Sequence, residues 1–178
     1  SRTPIREAFL QLETEGFLKV VPRKGAVVTE LSLRDALETY DIKSELEALA
    51  AKLSIKNITD DEINELTSLN NEMERQSKLK KKNYKLFLEL NSKFHKIIIK
   101  ASGNDKLYRL ICQLRRQTLR YNYLYLTLLS HLENTVDEHY QIIDAIKNKD
   151  ADKTENLIRK HGDTARNALC DYMRVKTY

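Results

Sequence analysis

Both prolines of this chain, Pro4 and Pro22, lie within its first thirty residues, and only four glycines are spread along its length. Proline and glycine are the residues that interrupt helices, so nearly everything after Glu30 is free to be helical. The stretch before Glu30 reads differently. Thr3-Pro4 is a helix start, because a hydroxyl caps free backbone N–H groups and proline fits the first turn. Ile5, Ala8, Phe9 and Leu12 recur at helical spacing to give one apolar face, and Gly16 ends the helix. Two β-type runs, Leu18 to Val21 and Ala26 to Val28, flank Pro22-Arg23-Lys24-Gly25, a turn with basic side chains at its tip. The pattern predicts a hairpin.

With 178 residues and 41% hydrophobic content the chain can bury a real core. No run approaches the ~18 apolar residues of a membrane span, and the first residues lack a signal-peptide pattern, so a cytoplasmic protein without membrane partners is expected. Lys+Arg 31 against Asp+Glu 26 leaves +5, a mild excess that favours nucleic acid without establishing it. Cys112 and Cys170 have no C-x-x-C spacing, which predicts buried free thiols over a disulfide or zinc ribbon.

From Leu31 onward the chain reads as amphipathic helices. Ser32 to Asp35, Thr59 to Glu62 and Thr135 to Glu138 each have the layout of a capping box and place three helix starts. The first helix is expected to carry Tyr40, Leu46, Leu49, Ala50 and Leu53 inward, the second Ile63, Leu66 and Met73. A lysine-rich run from Lys78 to Lys85 reads as a solvated linker. A third helix runs from about Asn83 to Ala101. A long fourth helix bears Leu107, Ile111, Leu114, Tyr121 and Tyr125, a fifth opens at Thr135, and a sixth is capped by Asp150 and reaches about Met173. Residues 31–178 are therefore expected to form one antiparallel six-helix bundle.

Polar residues fall on the buried stripes. Asn91 and His95 sit at i and i+4 among Phe87, Phe94 and Ile98; His139 begins the row of Ile142, Ile143 and Ile146; His161 lies between Leu157, Ile158 and Ala165. An unsatisfied buried imidazole nitrogen costs about 1–3 kcal/mol, so three separate structural histidines would be an unfavourable accident. Independently satisfied core histidines remain the competing explanation, and for any one alone the better one. For three together a shared divalent ion is the simpler account.

The ordered string SRTPIREA, LETEGF and PRKGA is similar to the second half of the DNA-binding domain of GntR-family transcription regulators. That resemblance, over residues 1 to about 30, implies a partial winged helix-turn-helix: a recognition helix followed by a hairpin wing. It implies DNA contacts by Arg2, Thr3, Arg6 and Gly25, to which Arg23 and Lys24 add charge at the wing tip. The two preceding helices of such a domain are expected N-terminal to Ser1, so an N-terminally truncated form is expected. NSKFHKIIIKASGN and DEHYQIIDAIKNKDADKTENLIRKH resemble the FCD ligand-binding domain of the FadR-type branch, over roughly residues 32 to 175.

This second resemblance implies a metal held by Asn91, His95, His139 and His161, with Asn91 standing where the family has aspartate. Zinc, nickel and manganese suit such donors. The implied effector is a small organic acid whose carboxylate meets the ion and basic side chains. Lys43 occupies a place where the family often has arginine, and a salt bridge to Glu47 at i+4 is its alternative role. Arg115 and Arg116 are further candidates, at least one of which is expected to face solvent. His131 matches no ligand position and is expected to be exposed.

The whole pattern implies a mainly α protein: residues 1–30 as part of a DNA reader and 31–178 as an effector-, metal- and dimer-forming bundle. A homodimer would present two recognition helices to a palindromic double-stranded operator, about 34 Å apart. Two other functions compete. A metal-dependent hydrolase would also use three histidines with an open position, but it needs a general base near the ion. Glu138 adjoins His139, and neighbours on a helix point about 100° apart. A structural scaffold without metal or effector is the third.

Overall fold

The computed structural model describes residues 2–23, 25–127 and 131–175, so the expected DNA contact Lys24 lies outside the described residues, as does the side chain of Arg2. Helix α1 (Arg2–Thr14) ends where Gly16 takes φ 77, a left-handed conformation that only glycine adopts without strain. Strands β1 (Leu18–Val21) and β2 (Gly25–Val28) pair antiparallel, Leu18 opposite Val28 and Val21 opposite Gly25. Their turn is built on Arg23 at φ 64 and Gly25 at φ 95. Glu13 accepts the Val20 N–H at 2.7 Å and ties helix to hairpin. The apolar face expected on α1 is uncovered, with Ile5 60% and Phe9 41% exposed.

The helical part comprises α2 (Leu33–Ser54), α3 (Asp60–Ser77), α4 (Tyr84–Ala101), α5 (Asp105–Gln117), α6 (Leu119–Thr127), α7 (Leu132–Lys147) and α8 (Ala151–Val175). Its two longest helices, α2 and α8, run antiparallel, as the ion pairs Lys52–Asp152, Glu45–Arg159 and Asp41–Arg166 show by advancing in opposite directions. Small residues let them approach closely. A Cβ on Gly162 would meet Ser44 Oγ at 2.1 Å and Ser44 Cβ at 2.8 Å. Helices α3 with α4 and α7 with α8 form hairpins around a core that includes Tyr40, Leu66, Phe87, Phe94, Ile142 and Ile146.

Several local expectations are corrected. The long fourth helix is two helices, because the buried Thr118 turns its hydroxyl back to the Arg115 carbonyl at 3.2 Å and competes with the helical ladder. The fifth opens at Leu132, not Thr135: Thr135 lies inside it and bonds the His131 carbonyl at 2.8 Å, while Glu138 is drawn to α8. Of the three expected capping boxes only Thr59–Glu62 is complete; Asp35 accepts from the Tyr121 hydroxyl instead of from the Ser32 N–H. Leu49 is 43% exposed because α2 turns its small residues, Ser44, Ala48 and Ala51, inward. His131 is half-buried, stacked on Tyr125 with ring centroids 4.6 Å apart. Cys112 is half-exposed, and both cysteines are free.

Candidate metal centre

Helix α4 sets the site. Its buried stripe of Phe87, Leu90, Phe94 and Ile98 carries Asn91 and His95 inward with it, because residues one turn apart share a face. His139 enters from α7 and is wholly buried. Its ring lies flat on Phe94, centroids 3.9 Å apart and planes within 5°, so its edge is turned toward His95 and His161. His161 enters from α8, beside Gly162, where that helix packs against Ser44 of α2.

The three imidazoles converge. Their ring centroids are 5.0 to 5.2 Å apart, and one nitrogen from each lies within 4.8 Å of the others. Neither nitrogen of His139 has a hydrogen-bond partner, and neither does the buried Asn91 Oδ1. Unpaired buried polar atoms are costly, so this cluster fits a group that would satisfy them. Burial pushes His95 and His139 well below the ordinary histidine value, and the Arg115 and His161 charges add to the effect. Neutral imidazole is the form that binds a transition ion. Glu138 accepts from His161 Nδ1 at 2.5 Å and from Thr164 at 3.0 Å. An acceptor-only carboxylate holds the ring proton on Nδ1 and leaves Nε2 with its lone pair free.

Opposite the histidines stand two buried charges, Lys43 and Glu47, and the partly buried Arg115. Glu47 pairs with Arg115 at 2.6 Å and with Lys43 at 3.5 Å. Burial pushes the Glu47 carboxyl up, but Lys43 and Arg115 together outweigh it and hold the group below its ordinary value. Burial lowers Lys43, and Glu47 offsets part of that. The triad therefore carries more cationic than anionic groups. These side chains, with Asn91, His95 and His161, line a cavity of about 20 Å3, and Tyr40, whose hydroxyl donates to Asn122 Oδ1, lines it with them. A buried water needs ~10–15 Å3, so the cavity has room for one or two water-sized particles.

The structure thus brings together Asn91, His95, His139 and His161, and sets Lys43 and Arg115 beside them. Lys43 makes its alternative contact, the salt bridge to Glu47, while facing the same cavity. Arg116 stands apart, because one residue along a helix turns the side chain by about 100°. It is 52% exposed and pairs with Glu15 at 2.9 Å. Sequence reasoning missed Glu138 as the partner of His161, Phe94 as the support of His139 and Gly162 as the seat of α8. The last had a signal: a glycine inside a helix costs about 0.5–1 kcal/mol and calls for a packing reason. At the other end of the chain, Thr3, Arg6, Arg23 and Gly25 are exposed on α1 and the hairpin.

A helix–hairpin unit is followed by an all-helical bundle with a histidine-lined cavity, and comparison with known proteins places this architecture among transcription regulators. Residues 38–164 match the FCD domain family. The HTH-type transcriptional regulator YdhC of Bacillus subtilis is 31% identical over 163 residues, 90% of this chain and 71% of that protein. The HTH-type transcriptional repressor RspR of Escherichia coli is 24% identical over 161 residues, 90% of this chain and 70% of that one. The structure of E. coli McbR/YncC superposes with a TM-score of 0.84 at 25% identity, covering 96% of this chain and 85% of the other. The chain belongs to the GntR family of HTH-type transcriptional regulators, in the branch that carries an FCD domain.

It is a regulator and not an enzyme, as its relatives are, and DNA is the partner class they imply. The hydrolase alternative finds no support among them, and both carboxylates beside the histidines are committed, Glu138 to His161 and Thr164 and Glu47 to Arg115 and Lys43. No helix among the described residues is long and apolar enough to cross a membrane.

Proposed function

We propose that this regulator senses a small organic acid through a divalent transition ion held by His95, His139 and His161, with the Asn91 carbonyl oxygen beside them. The convergence of three imidazoles from three helices on buried, unpartnered polar atoms carries the proposal. Zinc, nickel and manganese are the candidate ions; a neutral amide in place of a carboxylate leaves the donor set uncharged. The ion would supply a Lewis-acid anchor for a carboxylate. Lys43 and Arg115 would complete the anion site, since Glu47 alone cannot neutralise both.

In the same proposal, α1 and the hairpin address a palindromic operator through Arg2, Thr3, Arg6, Arg23, Lys24 and Gly25, two copies of the chain acting as a homodimer. Residues 1–30 serve the DNA and 31–178 serve sensing and dimerisation. Occupancy of the cavity biases the arrangement of the two parts and so the affinity for DNA.

Thermal denaturation tests the sensing half. Zinc, nickel or manganese added to chelator-treated protein is expected to raise the melting temperature. A short carboxylate such as succinate is expected to raise it further only when the ion is present. An unchanged melting temperature with every ion would contradict the proposal.

A further inference from the structure

The cavity beside the histidines, at about 20 Å3, is too small for an organic acid of several carbons. It does not stand alone. Asn91, Arg115 and Asn122 also line a much larger cleft between α4, α5 and α6, about 720 Å3 in volume. That size is ordinary for a small-molecule site, as is its mainly apolar wall of Leu88, Ile99, Tyr108 and Leu119. No acidic side chain among the described residues lines it, while four cations do. Two of those are already paired, Arg115 with Glu47 and Arg116 with Glu15. The other two, Lys96 and Arg109, are exposed and form no ion pair among the described residues.

We infer that this cleft binds the body and distal acidic group of an elongated, amphipathic diacid whose first carboxylate enters the histidine cavity. The inference rests on the sensing function proposed above and names the class of its effector. Along α4, Lys96 is five residues beyond Asn91; along α5, Arg109 is six residues from Arg115. At 1.5 Å per residue Arg109 lies about 9 Å along α5 from Arg115, and Lys96, which follows the cavity-lining His95 on α4, opens onto the same cleft. A short acid would leave Lys96 and Arg109 unused. A long monoacid would meet the apolar wall and place no charge on them.

Calorimetric titration with linear diacids from succinate to suberate, and with octanoate, tests this on the intact chain. Affinity is expected to rise along the diacid series. Suberate is expected to bind about tenfold tighter than octanoate, which has the same carbon count and one carboxylate fewer. Replacing Lys96→Gln and Arg109→Gln together is expected to abolish that preference; both positions are exposed, so the fold is not at stake. Equal or tighter binding of octanoate, a preference that survives the double substitution, or no binding of any member would overturn the inference. Metal content measured on the same samples separates the two proposals. Protein that takes up no ion but prefers suberate keeps the cleft and loses the metal; protein that takes up the ion without preference loses the cleft alone.

Discussion

Glu138 has no room to contact an ion that His161 holds, because its carboxylate is spent on the far nitrogen of that ring. Its effect is indirect: it fixes which nitrogen carries the proton and which way the ring faces. Glu138→Gln keeps size and removes the charge, and an amide can present its donor to Nδ1 and reverse the tautomer. Metal affinity, measured by competition with a chromophoric chelator, is expected to fall about 10–100-fold while the circular dichroism spectrum stays unchanged. An unchanged affinity would mean that His161 is not a ligand or needs no orientation. The histidines also predict a pH dependence. In metal-free protein His95 and His139 stay neutral below the pH at which the unfolded chain protonates them, near the ordinary value of 6.5. The unfolded state then binds more protons, so stability falls as pH drops through 6.5. Glu47 and Glu138, held below their ordinary 4.5, add a second loss under that value. Melting temperatures of chelated protein are expected to be level above neutrality and to decline from there; a level curve down to pH 4.5 would contradict the burial argument.

Helix α8 brings its histidine to the site because Gly162 lets it lie against Ser44 of α2. Gly162→Ala would force the two helices apart at the residue next to His161. A loss of about 1–3 kcal/mol in urea unfolding is expected, together with weaker metal binding. Weaker binding without lost stability, or the reverse, would show that the two helices do not set the site as one unit. The helices themselves were legible in the sequence. The stripe of Phe87, Asn91, Phe94, His95 and Ile98 is buried as its 3.6-residue period requires, and it announced the polar residues in the core. Less legible was whatever depended on a distant partner. Thr135 and Glu138 have the spacing of a cap, but Glu138 is better satisfied by His161, twenty-three residues later. Thr118 looks like an ordinary helical residue until its hydroxyl bonds backward. Leu49 is outside because close packing against α8 selects small residues over large ones, which a hydrophobicity pattern ranks the other way.

The two parts of the molecule touch through α5 and α6, the helices that Thr118 separates. Arg116 pairs with Glu15 just after α1, and Arg120 donates to the Thr29 carbonyl and hydroxyl at 3.0 and 2.8 Å just after β2. Arg115, one residue from Arg116, pairs with Glu47 at the cavity. A change at the cavity therefore has a short covalent and ionic route to the helix–hairpin unit. That route matters only if the cavity holds what its donors fit. The most direct test is elemental analysis of protein purified without chelator and reloaded with zinc, nickel or manganese. One ion per chain is expected in the wild type, lost in His139→Ala and in His161→Ala. A wild type that binds no ion, or variants that keep the full complement, would contradict the account.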